Sequence, residues 1–292
     1  MKKRKLKTPA RGAWLLLPSL AGVTVFMLYP LGKTVYHSFF SRISGGRFVG
    51  LKNYSELLSN GAFRLAVGNT ASFYLIALPL IIILPLAAAL IFSGTGRLER
   101  LFGRTMYLTI LLPSASLMTV ISLMFAPDGI FSEAAAALFG LDPDRLYESE
   151  FAFVLLVALF VYRYGGFNYL ICRAALAGIP VEYYEEAMLA GAGRLDCVRY
   201  VTLPGLMPVL PAVLTLSILN SYKIYREAYL IGGSYPDDSI YLIQHFINNN
   251  FVNMNFSRLC AAAAVMLATA ILAALALTAV LRLAGRTPDE TK

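Results

Sequence analysis

Charge is scarce in this sequence. Only 14% of the 292 residues are Asp, Glu, Lys or Arg, while 58% are hydrophobic. Soluble domains average roughly 25% charged and 45–50% apolar residues, which excludes a chain bathed in water on all sides. Histidine is nearly missing as well. His37 and His245 stand far apart and form no metal-ligand spacing. The three cysteines, Cys172, Cys197 and Cys260, include no CxxC pair, and their odd number gives no disulfide framework. No hydrolytic triad or metal-ligand cluster can be read from the chain. Gly32-Lys33-Thr34 resembles the end of a phosphate loop, but Met27 occupies the place of that loop's first glycine. The chain carries no nucleotide-binding motif of its own.

What the sequence has instead is long apolar runs. They predict an all-α membrane protein with six transmembrane helices, at about 13–35, 65–92, 105–126, 151–172, 206–231 and 259–281. Residues 1–12 form a basic amino-terminal segment, 13–281 the six-helix domain, and 282–292 a polar tail. A cleaved signal peptide does not fit the start, because the first apolar run is too long and no A-x-A-like site follows it. Prolines punctuate the runs. Pro30 is expected to bend the first near its outer end, Pro79 and Pro85 interrupt the second, and Pro113 lies in the third. Pro204, Pro208 and Pro211 break the start of the fifth.

The net charge of +8 would suggest nucleic acid in a soluble protein. Here its distribution reports topology. With both termini in the cytoplasm, fifteen of the 25 Lys and Arg fall in cytoplasmic segments and six in outer loops. That is the sense of the positive-inside rule. Arg42, Arg47, Lys52 and Arg64 in the first outer loop run against it locally, and the second outer loop is acidic. The same topology places residues 178–205 in the cytoplasm, between the fourth and fifth helices.

That loop reads as a helix made to be gripped. Pro180 suits a helix start, and Glu182, Glu185 and Glu186 place negative charge in the first turns, where the helix dipole favours it. Ala187, Ala190, Gly191, Ala192 and Gly193 leave the far half almost bare, and the glycines mark its end. A second short helix is expected over 195–203, up to Pro204. The stretch resembles the EAA loop of permease subunits in binding-protein-dependent ABC importers. Glu185 stands at the Glu of that pattern, Ala187 at its second Ala, Gly191 and Ala192 at Gly-Ala, and Leu203-Pro204 at its close. Glu186 replaces the first Ala, Ala190 stands where Asp is usual and Val198 where Phe is usual. Further matches follow in order: FMLYP at 26–30, GLKNY at 50–54, Asn69-Thr70, Leu112-Pro113 and Gly166-Phe167-Asn168. Together they resemble the maltose-type carbohydrate permeases over nearly the whole chain.

The resemblance implies a cell-membrane transport subunit and no enzyme. It implies a second homologous permease, two cytoplasmic ATPase subunits that hold the ATP-Mg, and an extracytoplasmic substrate-binding protein. This chain itself would bind no cofactor, metal or nucleic acid. Glu185, Glu186, Ala187, Gly191, Ala192, Leu203 and Pro204 would couple it to an ATPase. Polar residues within the spans are the candidates for the substrate path. Ser217, Asn220, Ser221 and Ile224 share one helix face, and Arg163 and Asn168 lie in the fourth span. Ser and Asn in such places either face the path or join neighbouring helices. Arg163 either answers an acid on a partner subunit or binds an anionic substrate. Lys223 and Arg226 are expected to snorkel to the outer interface. Asn248-Asn249-Asn250, with Asn253 and Asn255, form either a solvated loop or a contact for the docked binding protein. Two alternatives stand beside the sugar importer: an ABC importer of a non-sugar solute, and an ion-coupled secondary transporter. The second would want acids within the spans, where only Glu227 is found.

Overall fold

The computed structural model describes residues 16–284 apart from 44, 125–128 and 141–149. The basic segment 1–12, most of the polar tail and residues 141–149 of the acidic outer loop lie outside the described residues. The described chain is helical, with a single antiparallel bridge, Phe40 to Phe48, as its only β pairing. It divides into two compact units. One holds the residues up to 61 together with 247–275, and the other holds 62–246 and those from 276 on.

In the first unit, α1 (Leu17–Val23) and α2 (Tyr29–His37) are joined by a π-helical turn, Thr24–Leu28. The cause is Pro30. In an α-helix its ring would strike the carbonyl four residues back, and it has no N–H to donate. A turn closed five residues apart, Tyr29 N–H to Thr24 O, relieves both problems. The expected bend at Pro30 thus takes the form of a widened turn. Asn53 on α3 (Lys52–Ser59) then organises the following loop, donating to Ser38 O at 2.8 Å and to Phe40 O at 2.9 Å. Most of α15 (Phe256–Ala284) completes this unit, and Ser257 Oγ bonds Ser41 O at 2.6 Å.

The second unit contains most of α4 (Gly61–Phe92), then α5 (Arg97–Leu111), α6 (Ser114–Met124), α7 (Ile130–Phe139) and α8 (Phe151–Ala177). It continues through α9 (Val181–Leu189), α10 (Arg194–Cys197), α11 (Leu203–Leu206), α12 (Leu210–Ser221) and α13 (Tyr225–Gly232). The start of α14 (Ile243–Val252) closes it. Its core joins Phe73, Ala77 and Ile81 of α4 to Ala152, Leu156 and Phe160 of α8. The spacing of four on both helices brings one face of each together. Phe73 meets Phe160 edge-on, 5.3 Å between ring centres. Lipid tails are as apolar as these side chains, so close fit rather than escape from water holds such helices together. Gly166 is the clearest case, since a Cβ there would collide with Met106 O and Thr109 Oγ1 of α5.

Pro79 and Pro85 do not break the second span. The helix α4 runs through both, and the buried ring of Pro85 lies against α8 where Gly165 leaves room. The third and fifth spans are broken instead. α5 starts at Arg97, inside the expected loop, and the chain leaves the helix at Leu112-Pro113 before α6. The helical segments Arg194–Leu206 and Leu210–Gly232 meet at 64° around Pro208. A second π turn, Val198–Thr202, precedes Pro204 in the way the first precedes Pro30. The single short helix expected over 195–203 is therefore α10, this turn and the start of α11.

Three helical segments among the described residues are long and apolar enough to cross a membrane unbroken: α4, α8 and Phe256–Leu275 of α15. The bent pair makes a fourth if counted as one. Of the six apolar runs in the sequence, these are the ones carried by helix long enough to cross. Proline divides the others, because each removes a donor and displaces a carbonyl within the run.

Candidate functional site

The stretch from 178 to 205 stands as a helical hairpin. Pro180 occupies the position before the helix, and α9 begins at Val181, one residue later than the sequence suggested. No residue of α9 is buried. Glu185 and Glu186 are exposed, while Ala187 is half-buried. The helix ends in a closed cap: Ala192 N–H donates to Ala187 O and Gly191 N–H to Met188 O, both at 3.0 Å. This Schellman pattern needs a left-handed residue, which Gly191 supplies at φ +88°. Added bulk at Gly191 would meet nothing within 4 Å, so backbone conformation and not space requires the glycine.

The return arm is held at two points. Asp196 accepts from Gly193 N–H at 3.0 Å and starts α10. Tyr184 and Thr202 join through their hydroxyls at 3.1 Å, tying α9 to the π turn. Between the arms lies a cleft of about 660 Å³, lined in part by Pro180, Tyr183, Glu186, Ala187, Tyr200 and Pro204. Leu203 and Pro204 are exposed at its foot. The crest carries large apolar groups in the open, with Leu189 89% and Leu195 85% exposed. Exposed apolar groups of this kind, outside the apolar spans, are the feature that interaction surfaces carry.

The intramembrane candidates are distributed differently. Asn168 on α8 donates to Ile81 O at 3.0 Å and to Ser217 Oγ on α12 at 2.9 Å, and it is buried. Ser217 in turn donates to Val213 O, and Ser221 to Ile218 O. Asn168 and Ser217 thus join α8 to α12 in this conformation, while the Ser221 hydroxyl bonds within α12. Asn220 is half-buried, and its Oδ1 accepts from Lys223 Nζ at 3.0 Å. Ile224 lies past the end of α12, in the turn before α13, so the shared helix face stops at Ser221.

Arg163 has an acid to answer within this chain. Its Nε lies 4.0 Å from Oε1 of the buried Glu227 on α13. Its Nη1 donates to Thr109 O at 3.3 Å and to Leu112 O, carbonyls at the Pro113 break of α5. One guanidinium therefore closes the broken end of α5 and ties it to α8 and α13. Sequence reasoning noted both charges without the pairing, because they are separated in the chain and no spacing rule joins them. It also gave no role to the contact of Arg173 with Glu99, 2.8 Å, or to the anchoring of α4 by Asn69 and Thr70. Asn69 donates to Tyr241 O and Asp238 O, and Thr70 Oγ1 accepts from Ile243 N–H.

Known proteins resemble this chain in sequence and in fold. The family model described as "Binding-protein-dependent transport system inner membrane component" matches residues 81–286. The arabinooligosaccharides transport system permease protein AraP of Bacillus subtilis is 30% identical over 219 residues, 73% of this chain and 69% of that protein. The trehalose/maltose transport system permease protein MalF of Thermococcus litoralis is 31% identical over 244 residues, 80% and 81% of the two chains. In three dimensions a chain of a bacterial ABC transporter involved in the import of the acidic polysaccharide alginate superimposes with a TM-score of 0.79. It is 17% identical, with 97% of this chain and 96% of that one covered, and so attests the fold. An ion-coupled secondary transporter falls away with these matches. A family model spanning most of the helices and relatives alike over most of the chain lead to one conclusion: this protein belongs to the inner membrane components of binding-protein-dependent transport systems, a multi-pass permease subunit and not an enzyme.

Proposed function

We propose that the chain is one of two permease subunits in an ATP-driven oligosaccharide importer. The curated relatives named above carry arabinooligosaccharides or trehalose and maltose in their names, which supports a carbohydrate substrate. Six crossings are made by α1–α2, α4, α5–α6, α8, the bent run from α10 to α13, and α15. Both termini and the 178–205 hairpin lie in the cytoplasm, in keeping with the Lys and Arg distribution.

The observation that carries the coupling role is the bare, apolar crest of α9 outside the spans. An ATPase subunit grips it, with Glu185, Glu186, Ala187, Gly191 and Ala192 forming the contact and Leu203-Pro204 the root. ATP-Mg is held by two such subunits, and an extracytoplasmic binding protein delivers the sugar. When the ATPases close, the hairpin moves as a lever because Tyr184 and Thr202 bind its arms together. The movement reaches α12 through the Pro208 bend and turns the cavity outward, a population shift driven by differential binding. Asn220 faces the path. Ser217, Ser221 and Asn168 lie behind it and join it as α8 and α12 separate. Arg163 positions α5 and α13 around the path.

The test is affinity purification of the tagged chain from native membranes, comparing the unaltered protein with Leu189→Glu and Gly191→Asp. A second permease and an ATPase accompany the unaltered chain, and the ATPase is lost from both variants. Recovery of the unaltered chain alone, or full retention of the ATPase by both variants, overturns the proposal.

A further inference from the structure

The amino-terminal half of α5 carries Arg97, Arg100 and Arg104 at spacings of three and four, which place them on one helix face. Beside them a groove of about 600 Å³ opens between α5 and α8, with Arg100, Gly103, Arg104, Tyr107, Leu108 and Arg173 among its lining residues. Three guanidiniums at one groove repel each other unless an anion joins them. The nearby carboxylate, Glu99, is already committed. One oxygen takes Arg173 Nε at 2.8 Å and the other accepts from Gly94 N–H at 3.2 Å. Arg100 anchors its Nε on Gly96 O at 3.4 Å, and among the described residues neither Arg100 nor Arg104 has an ion pair.

The groove is shaped as well as charged. A Cβ on Gly103 would lie 2.9 Å from Arg173 Nη1, so the glycine is what lets that guanidinium rest against α5. Glu99 holds that guanidinium by its Nε, and Nη1 is the end that lies against Gly103. Further along the same helix, Tyr107 and Leu108 are exposed. Cations at one end and open apolar side chains at the other match an amphiphile. Arginine in addition offers paired donors with the geometry of a phosphate.

We propose that this groove binds the headgroup phosphate of an anionic phospholipid, whose acyl chains run along Tyr107 and Leu108. The lipid pins α5 to α8 at the end of the third and fourth spans. The proposal rests on the chain's being a membrane permease and not on its substrate or its ATPase, and lipid retention is read without either.

The assembled transporter is placed in phosphatidylcholine nanodiscs with and without phosphatidylglycerol, and native mass spectrometry counts the phosphatidylglycerol retained. The unaltered chain retains it. Arg100→Gln with Arg104→Gln weakens retention roughly 30-fold, from the usual contribution of each cation near a membrane surface. Gly103→Leu leaves charge untouched, fills the groove and weakens retention too. Arg42→Gln with Arg47→Gln removes equal charge elsewhere and has no effect. Excess inorganic phosphate leaves the lipid bound. Retention unchanged in both groove variants overturns the proposal, as does equal loss in the Arg42 and Arg47 control. Displacement by inorganic phosphate overturns the lipid as source. Loss of a partner subunit from the double arginine variant, with no phosphatidylglycerol on the unaltered chain, assigns the groove to an acidic protein surface and overturns it as well.

Discussion

Two short helices in this protein end in the same way and are held in opposite ways. After α9, Ala192 N–H reaches back to Ala187 O and Gly191 N–H to Met188 O. After α14, Asn255 N–H reaches back to Asn250 O and Met254 N–H to Phe251 O. Both are Schellman caps, and both need a left-handed residue, which is Gly191 in one and Met254 in the other, at φ 55°. Met254 is the one non-glycine residue among those described with positive φ, and a side chain there costs about 1–2 kcal/mol. The helix bodies differ more. No residue of α9 is buried, whereas Ile243, His245, Phe246, Asn249 and Asn250 of α14 are. A helix without a buried face must be made stable by its own backbone or by a partner, so the strain-free glycine belongs to α9. A helix packed along one side can absorb a strained cap, and α14 does.

The comparison breaks most visibly with acid. His245 stands at the third position of α14 and its Nδ1 accepts from Leu242 N–H at 3.1 Å, as a Glu or Gln does in a capping box. Its ring stacks on Tyr241, 5.6 Å between centres, and meets Tyr225 edge-on at 4.8 Å. Burial lowers its pKa from 6.5 to about 4. The unfolded segment therefore binds the proton first. The contribution of neutral His245 is complete above about pH 6.5, declines as pH falls, and is gone below about pH 4. The shift corresponds to about 3 kcal/mol. Hydrogen exchange across 243–252 should accelerate steeply between pH 6.5 and pH 4, after correction for intrinsic rates, while 181–189 keeps its protection. His245→Gln retains an acceptor for Leu242 N–H and should abolish the pH dependence. If the two helices respond alike to acid, the contrast in how they are held is wrong.

Two substitutions exchange the caps. Gly191→Val forces a branched residue into left-handed backbone and should cost about 1–2 kcal/mol locally. Hydrogen exchange at Gly191 and Ala192 reports the loss, and less ATPase should be recovered with the chain. Met254→Gly relieves strain but frees the unfolded chain, for a net gain of about 0.5–1 kcal/mol in the protection of α14. Opposite signs are the expectation. Slower exchange in the valine variant would show that the cap of α9 is remodelled when the chain is assembled.

The two regions also differ in how far their sequences speak. In the hairpin, Pro180, the acidic first turn and the two glycines are local signals, and local signals survive into the structure within one residue. In the spans, prolines were expected to interrupt, yet Pro85 sits inside an unbroken α4 because Gly165 on another helix leaves space for its ring. Pro113 does break its helix, and Arg163 closes the freed carbonyls from α8. Which proline kinks is thus decided by a neighbour distant in sequence. Asn168 and Ser217 carry the same lesson. Their types and depth allow either a path or a helix contact, and the register of α8 on α12 directs them at each other. For His245 the clue is weak, since histidine rarely fills the third position of a capping box.

The smallest effect on stability should come from Leu189→Gln. Leu189 is 89% exposed, touches no core and lends its side chain to none of the bonds that close the hairpin, so stability should change by no more than about 0.5 kcal/mol. Its importance would lie wholly in assembly. A leucine held in water at the tip of a helix with no buried face gains from burial against another protein, about 1.5–3 kcal/mol when the cover is complete. The glutamine variant should therefore show an unchanged exchange pattern in 181–193 as an isolated chain and a Kd for the ATPase subunit raised about tenfold or more. Phe246→Gln in α14 should do the reverse, because Phe246 is buried and packs on Phe63 with ring centres 5.3 Å apart. That variant should lose protection across 243–252 and leave ATPase affinity unchanged. Measured together, the pair separates a helix built for a partner from a helix built for its own fold. An exchange change in the Leu189→Gln chain alone would mean that the crest is already packed within this subunit.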